Sequence, residues 1–157
     1  MKWPFGIGPA PRPLGMLLAG IGAGLTIFAL LALHDATRLA WLIPSFGASC
    51  ALVFGVPDSP FARPTSVIGG HLVSSAVGLA AMALLGHGPL AMAVGVGCAI
   101  AAMMASRTMH PPAGGDPLIV IATSAAPMFL LTPALIGTVA IALAGLVFRL
   151  VRRPEGR

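Results

Sequence analysis

The feature that most constrains this chain is a long stretch that is almost free of charge. From residue 39 to residue 148 only four side chains carry a formal charge, namely Asp58, Arg63, Arg107 and Asp116. Charged residues make up 8% of the whole chain and hydrophobic residues 57%, whereas a soluble domain contains about 25% charged residues. This pattern excludes a water-soluble globular enzyme and a disordered chain. It predicts a polytopic protein embedded in a lipid bilayer.

The net charge of +5 comes from basic residues near the two ends of the chain, including Lys2, Arg12, Arg149, Arg152, Arg153 and Arg157. Aromatic residues are only 6% of the sequence, and a nucleic-acid-binding surface combines a basic face with stacking aromatic rings. We therefore expect no nucleic-acid partner. Positive charge beside apolar segments is typical of cytoplasmic ends, so we expect an inner (plasma) membrane of bacterial type with both termini cytoplasmic.

Six apolar segments divide the chain. They cover approximately residues 14–33, 39–56, 66–85, 90–106, 111–131 and 134–150. Proline and glycine interrupt the second and the fifth, which are therefore short spans, kinked helices or re-entrant half-helices. The predicted fold is an all-α membrane protein with a single transmembrane domain.

Proline and glycine recur in the same order in both halves of the sequence. Pro13, the step Pro44-x-x-Gly47 and Pro64 open the first three segments, and Pro89, the step Pro112-x-x-Gly115 and Pro133 open the last three. The pattern predicts two three-segment repeats, at about residues 13–86 and 89–151. Six crossings would make them inverted repeats and place almost all basic residues inside. Four full spans with two re-entrant segments is the alternative.

Small residues at four-residue spacing predict close helix packing. They are the pairs Gly20 with Gly24 and Ser74 with Gly78, and the series Ala93, Gly97, Ala101 and Ala105. Packing within one subunit accounts for most of them, and a homo-oligomer is the alternative.

The densest polar motif runs from Arg107 through Thr108 and His110 to Asp116. Two prolines in it stop one helix and can open the next, and Gly114 and Gly115 let a ligand approach the backbone. Unpaired N–H groups at a broken helix favour an anion. The opposing interpretation is a plain interfacial loop with an Arg–Asp pair.

Two further motifs contribute polar groups to apolar segments. Ser45, Gly47 and Ser49 supply hydroxyls and exposed backbone, although a kinked helix with hydroxyls bonded to its own carbonyls explains them too. His71 lies in the third segment within one helical turn of Ser74 and Ser75, and an ionisable side chain inside a membrane is a functional candidate. A neutral histidine bonded between helices is the alternative.

No motif for a metal, a cofactor or covalent catalysis is present. The four histidines share no ligand spacing, and no nucleophile elbow or glycine-rich phosphate loop occurs. We expect neither enzyme activity nor a cofactor.

Four stretches together resemble the HPP family of integral membrane proteins. They read Ile-Pro-Ser-Phe-Gly-Ala-Ser-Cys-Ala-Leu-Val-Phe-Gly at residues 43–55, Ala-Arg-Pro at 62–64, Gly-Gly-His-Leu-Val-Ser-Ser at 69–75 and Arg-Thr-Met-His-Pro-Pro-Ala-Gly-Gly at 107–115. The resemblance implies four transmembrane helices, and plant and cyanobacterial members are similar to nitrite transporters. This sequence departs from the family where Gly115-Asp116-Pro117 replaces a common Ala-Thr-Ala, and Asp116 could pair with Arg107 or carry a proton.

The resemblance and the motifs together predict a transporter or channel for a small anion, nitrite above all. The substrate would lie near the midplane, against backbone N–H groups at residues 47–49 and 114–115, with Thr108 and with Arg63 or Arg107 nearby. His110, His71 and Asp116 are the candidates for carrying a coupled proton. The rival prediction is a membrane protein that transports nothing, either a sensor or an assembly partner.

Overall fold

The computed structural model describes residues 12–39 and 42–152. These residues form six α-helices and no strand, with α1 at Pro13–Thr37, α2 at Ser45–Gly55, α3 at Pro64–Leu85, α4 at Pro89–Ala105, α5 at Asp116–Ala122 and α6 at Ile136–Val151. Short 3-10 turns occupy Pro60–Ala62, Pro111–Gly115 and Pro127–Leu130, and a π-helical turn at Leu131–Leu135 precedes α6. The all-α prediction is confirmed. The division into repeats at residues 13–86 and 89–151 stays a prediction.

Three of the long helices begin at a proline. Pro13, Pro64 and Pro89 are the first residues of α1, α3 and α4, where the missing N–H would be unpaired in any case. α3 ends at Leu85 and is capped by Gly86, whose φ of 80° suits a residue without a Cβ. The prolines that marked the segment starts in the sequence therefore act as helix starts.

Three apolar stretches are long enough to cross a membrane: Pro13–Thr37, Pro64–Leu85 and Pro127–Val151. α2 and α4 are apolar but shorter, with 11 and 17 residues. Within the second predicted segment, helix α2 begins at Ser45. The fifth begins as a 3-10 turn and continues as a helix of only 7 residues, α5. Both of the segments that proline and glycine interrupt are therefore short helices.

α3 is the central helix and packs against α4, α5 and α6. α1 packs on α2 and α6, and among its residues only Thr26 and Leu30 are buried. Phe28 and most of the other leucines of α1 are exposed, as expected of a helix that faces lipid.

A core of large side chains joins α1, α2 and α6, and glycines make room for it. A Cβ on Gly22 of α1 would lie 2.8 Å from the ring of Phe54, and one on Gly145 of α6 would collide with Val53. Phe54 and Val53 are 3% and 1% exposed. This core fixes α2 beside α1 and α6, with its polar face toward α3.

Residues 110–117 run along α3 in the same direction as that helix. His110 lies against Gly70, the Ala113 carbonyl accepts from the Ser74 hydroxyl at 2.6 Å, and Pro117 lies against Gly78. α2 runs the opposite way, because Ser49 bonds to His71 while Ser45 bonds to Asp116 one turn further along. The first residues of α2 and α5 therefore meet, and the two helices point away from each other.

Most of the arginines in the described ranges lie at one end of the bundle, which we call the basic end. There Arg152 at the end of α6 pairs with Asp58 at 2.5 and 2.7 Å, and Arg149 donates to the Ala62 carbonyl at 2.7 Å. Arg12, Arg63 and Arg107 lie at the same end, beside the start of α1, at the start of α3 and after α4. The opposite end carries Asp35 and Arg38.

The small-residue series have different environments. Ser74 and Gly78 are buried against residues 113–117. Gly20 and Gly24 are exposed, and a Cβ on either would meet nothing within 4 Å. On α4 the predicted series Ala93, Gly97, Ala101 and Ala105 is exposed, and α4 uses its other face for packing within the chain, with Ala91, Gly95, Ala99 and Met103 buried. The expectation of packing within one subunit is therefore wrong for the Gly20 and Gly24 pair and for the α4 series.

Candidate functional site

A buried polar cluster lies where α2, α3 and α5 meet. At its centre the Asp116 carboxylate, 0% exposed, accepts three hydrogen bonds. Ser45 donates to Oδ1 at 2.8 Å, Ser75 donates to Oδ2 at 3.2 Å, and Nδ1 of His71 lies 2.6 Å from Oδ2. The N-terminus of α2 adds positive partial charge beside this carboxylate.

The hydroxyl of Ser49 connects the two buried histidines. Its Oγ lies 2.8 Å from Nε2 of His71 and 2.9 Å from Nε2 of His110. The other nitrogen of His110, Nδ1, donates to the Phe61 carbonyl at 2.7 Å. One continuous chain of hydrogen bonds therefore runs from Asp116 to the backbone of the α2–α3 connection. We call Ser45, Ser49, His71, Ser75, His110 and Asp116 the polar cluster.

Close backbone approach makes this geometry feasible. A Cβ on Gly70 would lie 2.6 Å from the Cβ of His110, and one on Gly69 would lie 2.6 Å from the Thr108 methyl. Both glycines are in α3, on the side that receives the His-Pro-Pro stretch. The His71 ring also packs edge-to-face against the ring of Phe46, with centroids 5.3 Å apart.

Ser49, His71 and Asp116 have the connectivity of a serine-hydrolase triad, in which Asp orients His and His faces the Ser hydroxyl. Nothing in the spacing of these three residues along the sequence indicates such a pairing. Their surroundings, however, differ from a hydrolytic site. Ser49 lies within α2, is 0% exposed and has a second histidine on its other side. Its Oγ is within hydrogen-bond distance of two histidine nitrogens and the Ser45 carbonyl oxygen, so a substrate carbonyl would have to displace one of these contacts.

The structure brings together five of the residues predicted as a site: Ser45, Ser49, His71, His110 and Asp116. Asp116 was predicted to carry a proton or to pair with Arg107. Its partner is His71, so the pair with Arg107 is wrong, and the proton-carrying role stays a prediction. Arg63 and Arg107 are exposed at the basic end, and neither bonds to the cluster. Their part in anion binding stays a prediction.

The predicted glycine positions lie beside the cluster rather than in it. Gly47 is on the exposed face of α2, and its N–H donates to the Pro44 carbonyl at 3.2 Å. Gly114 and Gly115 are half-buried in the 3-10 turn, and a Cβ on either would meet nothing within 4 Å. Thr108 is half-buried, with its hydroxyl 2.8 Å from that of Ser106.

Two backbone carbonyls belong to the site and were missed. The Phe61 carbonyl anchors His110, and the Ala113 carbonyl accepts from Ser74. No side-chain pattern marks a carbonyl acceptor, so only the three-dimensional path of the chain could identify them.

Two cavities lie apart from the cluster. One, of about 820 Å³, is at the basic end between α1, the end of α2 and the end of α6, and Arg12, Asp58 and Arg152 line it. The other, of about 500 Å³, is a depression lined by Ala48, Ala51 and the two prolines that follow His110. No cluster residue lines either cavity. Within residues 12–39 and 42–152 no group of His, Cys, Asp and Glu could hold a metal ion.

Comparison with known proteins identifies relatives. The family model described as HPP, transmembrane region, matches residues 8–155. A transmembrane protein of Dictyostelium discoideum is 34% identical over 133 residues, which are 76% of this chain and 46% of that protein. A second transmembrane protein of the same organism is 39% identical over 85 residues, or 52% of this chain and 27% of that protein. The chain thus spans less than half the length of the curated relatives it matches. No solved structure matches it.

Proposed function

The chain belongs to the HPP family of transmembrane proteins, and on that premise we propose that it carries a small monovalent anion, nitrite, across the membrane together with protons. The observation that supports this most directly is the polar cluster. Its two histidines and its aspartate are 0% exposed inside a protein that resides in a lipid bilayer. Ionisable groups at such positions are costly, and where they occur they commonly form proton relays or substrate paths.

The energetics of anion uptake favour coupling to protons. Moving one negative charge into a cell that is negative inside costs about 2.3 kcal/mol per 100 mV. A proton that moves with the anion cancels this electrical cost. A ring nitrogen of imidazole can donate or accept a hydrogen bond according to its protonation, and His71 and His110 place two such rings within one hydrogen-bonded chain.

The arrangement of α2 and α5 is compatible with a transport pathway. Transporters built from inverted repeats place their sites where interrupted helices meet near the bilayer midplane. Here Ser45 and Asp116 are the first residues of two short helices that point away from each other. We propose six crossings in two repeats, with the basic end and both termini in the cytoplasm.

The sequence suggested that the bound anion is contacted by Thr108 and by Arg63 or Arg107. Their positions suit an earlier step, the approach of the anion. They lie at the basic end, near His110 but outside the cluster. We propose that they raise the local concentration of the anion, and that the hydroxyls of Ser45 and Ser49 and the histidines contact it deeper in the protein.

Two other functions remain as rivals. A sensor or assembly partner would need the polar cluster only to fix the packing of α2, α3 and α5. An intramembrane hydrolase is favoured by one specific observation, the triad connectivity of Ser49, His71 and Asp116. The second histidine on the Ser49 hydroxyl, His110, argues against it, because a hydrolytic triad has only one.

Nitrite flux into proteoliposomes tests the proposal. We expect uptake that increases when the side from which nitrite enters is made more acidic, and that falls at least tenfold in His110→Ala. The matched control is His87→Ala, because His87 is exposed in the α3–α4 turn. No flux with folded protein would favour the sensor, and flux that is indifferent to pH would indicate a passive channel.

A further inference from the structure

The Ser49 hydroxyl has more hydrogen-bonding neighbours than it has protons. Its Oγ lies 2.8 Å from Nε2 of His71, 2.9 Å from Nε2 of His110 and 3.1 Å from the Ser45 carbonyl oxygen. A hydroxyl donates one hydrogen bond and accepts two. The protons on the neighbouring nitrogens can therefore be counted from the geometry.

The outer nitrogen of each ring is already assigned. Nδ1 of His110 faces the Phe61 carbonyl, which can only accept, so this nitrogen carries a proton. One proton also lies between Nδ1 of His71 and the Asp116 carboxylate, whichever of the two atoms holds it. Only the two Nε2 atoms remain undetermined.

With no proton on either Nε2, two lone pairs would face one hydroxyl that can donate only once. One buried ring nitrogen would then be left without a donor, which carries the full cost of its desolvation. With one Nε2 proton every atom is satisfied, because one ring donates to Ser49 and Ser49 donates to the other ring. With two, both rings donate to Ser49 and its hydroxyl turns to the Ser45 carbonyl.

The charges support the same count. With none, one or two Nε2 protons, the cluster has a net charge of −1, 0 or +1. No other charged side chain in the described residues compensates it. From α6, Arg149 is bonded to Ala62; from α2, Cys50 is packed in the apolar core; Arg63 and Arg107 are exposed. An isolated charge is costly in a bilayer, so the neutral state with one proton is favoured, and the second proton needs an anion beside it.

We propose that Ser49 is a proton-relay residue that shares one proton between His71 and His110, and that the cluster takes a second proton only together with an anion. In the relay the Nε2–H bond of His71 breaks as a new Oγ–H bond forms on Ser49. The original Oγ–H bond of Ser49 breaks as an Nε2–H bond forms on His110. One proton enters the hydroxyl and one leaves it, and Asp116 keeps its charge. Only the anion step rests on the proposed function.

Nitrogen NMR of the full chain with ¹⁵N-labelled histidine, in lipid nanodiscs near neutral pH, tests the relay without any transport assay. His71→Asn and His110→Asn variants assign the two signals among the four histidines. We expect both Nε2 shifts in the wild type to lie between the values of a protonated and an unprotonated nitrogen, because one proton is shared. Two bare Nε2 nitrogens in the wild type would overturn the proposal, whether or not any variant folds.

Two serine variants separate the relay from simple packing. In Ser49→Ala the two Nε2 shifts should no longer be intermediate. One should have the value of a protonated nitrogen and the other that of an unprotonated nitrogen. Ser74→Ala is the matched control, since Ser74 is an equally buried serine whose hydroxyl bonds only to a backbone carbonyl, and it should keep both intermediate shifts. Averaged shifts that persist in Ser49→Ala would remove Ser49 from the relay.

Addition of nitrite to unbuffered protein tests whether the polar cluster takes up a second proton together with the anion. We expect one proton to be taken up for each nitrite bound, with both Nε2 shifts moving to the protonated value. Nitrite binding without proton uptake would overturn this step. If nitrite does not bind at all, the proposed substrate fails, while the shared proton seen in the wild-type spectrum would stand.

Discussion

Ser45 and Asp116 are 71 positions apart in the sequence, yet they are the first residues of two helices and bond to each other at 2.8 Å. The contact joins the two halves of the chain through a hydroxyl that donates to a buried carboxylate. The stability of the bundle should depend on it, and on the other bonds to the same carboxylate.

Asp116→Ala is expected to destabilise the protein strongly, because Ser45, Ser75 and His71 all lose their partner. Breaking a buried ion pair by removing one side costs about 3–5 kcal/mol. Thermal unfolding in detergent measures the effect. Asp58→Ala is the control, since its pair with Arg152 is exposed and contributes little. Equal shifts in the two variants would contradict a structural role for the cluster.

Gly78→Ala should destabilise the contact between α3 and α5. A Cβ at this position would lie 2.8 Å from the Cα of Pro117, and backbone cannot move aside as a side chain can. Overpacking of this kind costs about 1–3 kcal/mol. Gly97→Ala on α4 is the control, because nothing lies within 4 Å of its added Cβ. A more stable Gly78→Ala variant would show that α5 is free to shift.

Arg107→Ala should weaken nitrite uptake at low ionic strength and much less at high ionic strength. Arg107 is exposed and outside the cluster, so it acts on the anion through a field that salt screens. The dependence of flux on pH should remain as in the wild type. Complete loss of flux at all salt concentrations, with folded protein, would instead place Arg107 at the substrate.

A fluorophosphonate probe should not label Ser49. The triad geometry alone would predict labelling, but the hydroxyl is 0% exposed and hydrogen-bonded on every side. Mass spectrometry of probe-treated protein in nanodiscs measures the adduct. Labelling that disappears in His71→Asn would support the hydrolase rival over the transporter.

Ala101→Leu should lower the oligomeric state if α4 is an interface between subunits. Ala93, Gly97 and Ala105 form an exposed series with Ala101, and close helix contact in lipid requires such small residues. Light scattering in detergent compares the variant with Ala83→Leu, an exposed position on α3. The same mass for the wild type and both variants would exclude this face as the interface.

The sequence predicted much of the architecture because its signals are local. Pro13, Pro64 and Pro89 start helices for a reason that lies in proline itself, and apolar length identifies candidate spans. His71, His110 and Asp116 could be chosen as proton carriers because a charge is rare in such a chain. Each of these inferences needs only the residue and its neighbours.

The contacts within the site could not be predicted in this way. Asp116 follows Arg107 closely in the sequence, which suggested an ion pair. The 3-10 turn at Pro111–Gly115 instead carries Asp116 along α3 to His71, while Arg107 stays at the basic end. Likewise nothing in the pattern around Ser49 indicated that two histidines, 22 and 61 positions away, would share its hydroxyl.

The polar cluster takes residues from both halves of the chain, so neither half can complete it alone. Ser45 and His71 belong to the first half of the chain and their shared partner Asp116 belongs to the second, so the first half alone lacks this carboxylate. A protein cut in the α3–α4 turn should therefore need both fragments in the same cell, because each fragment supplies hydrogen-bond partners that the other lacks.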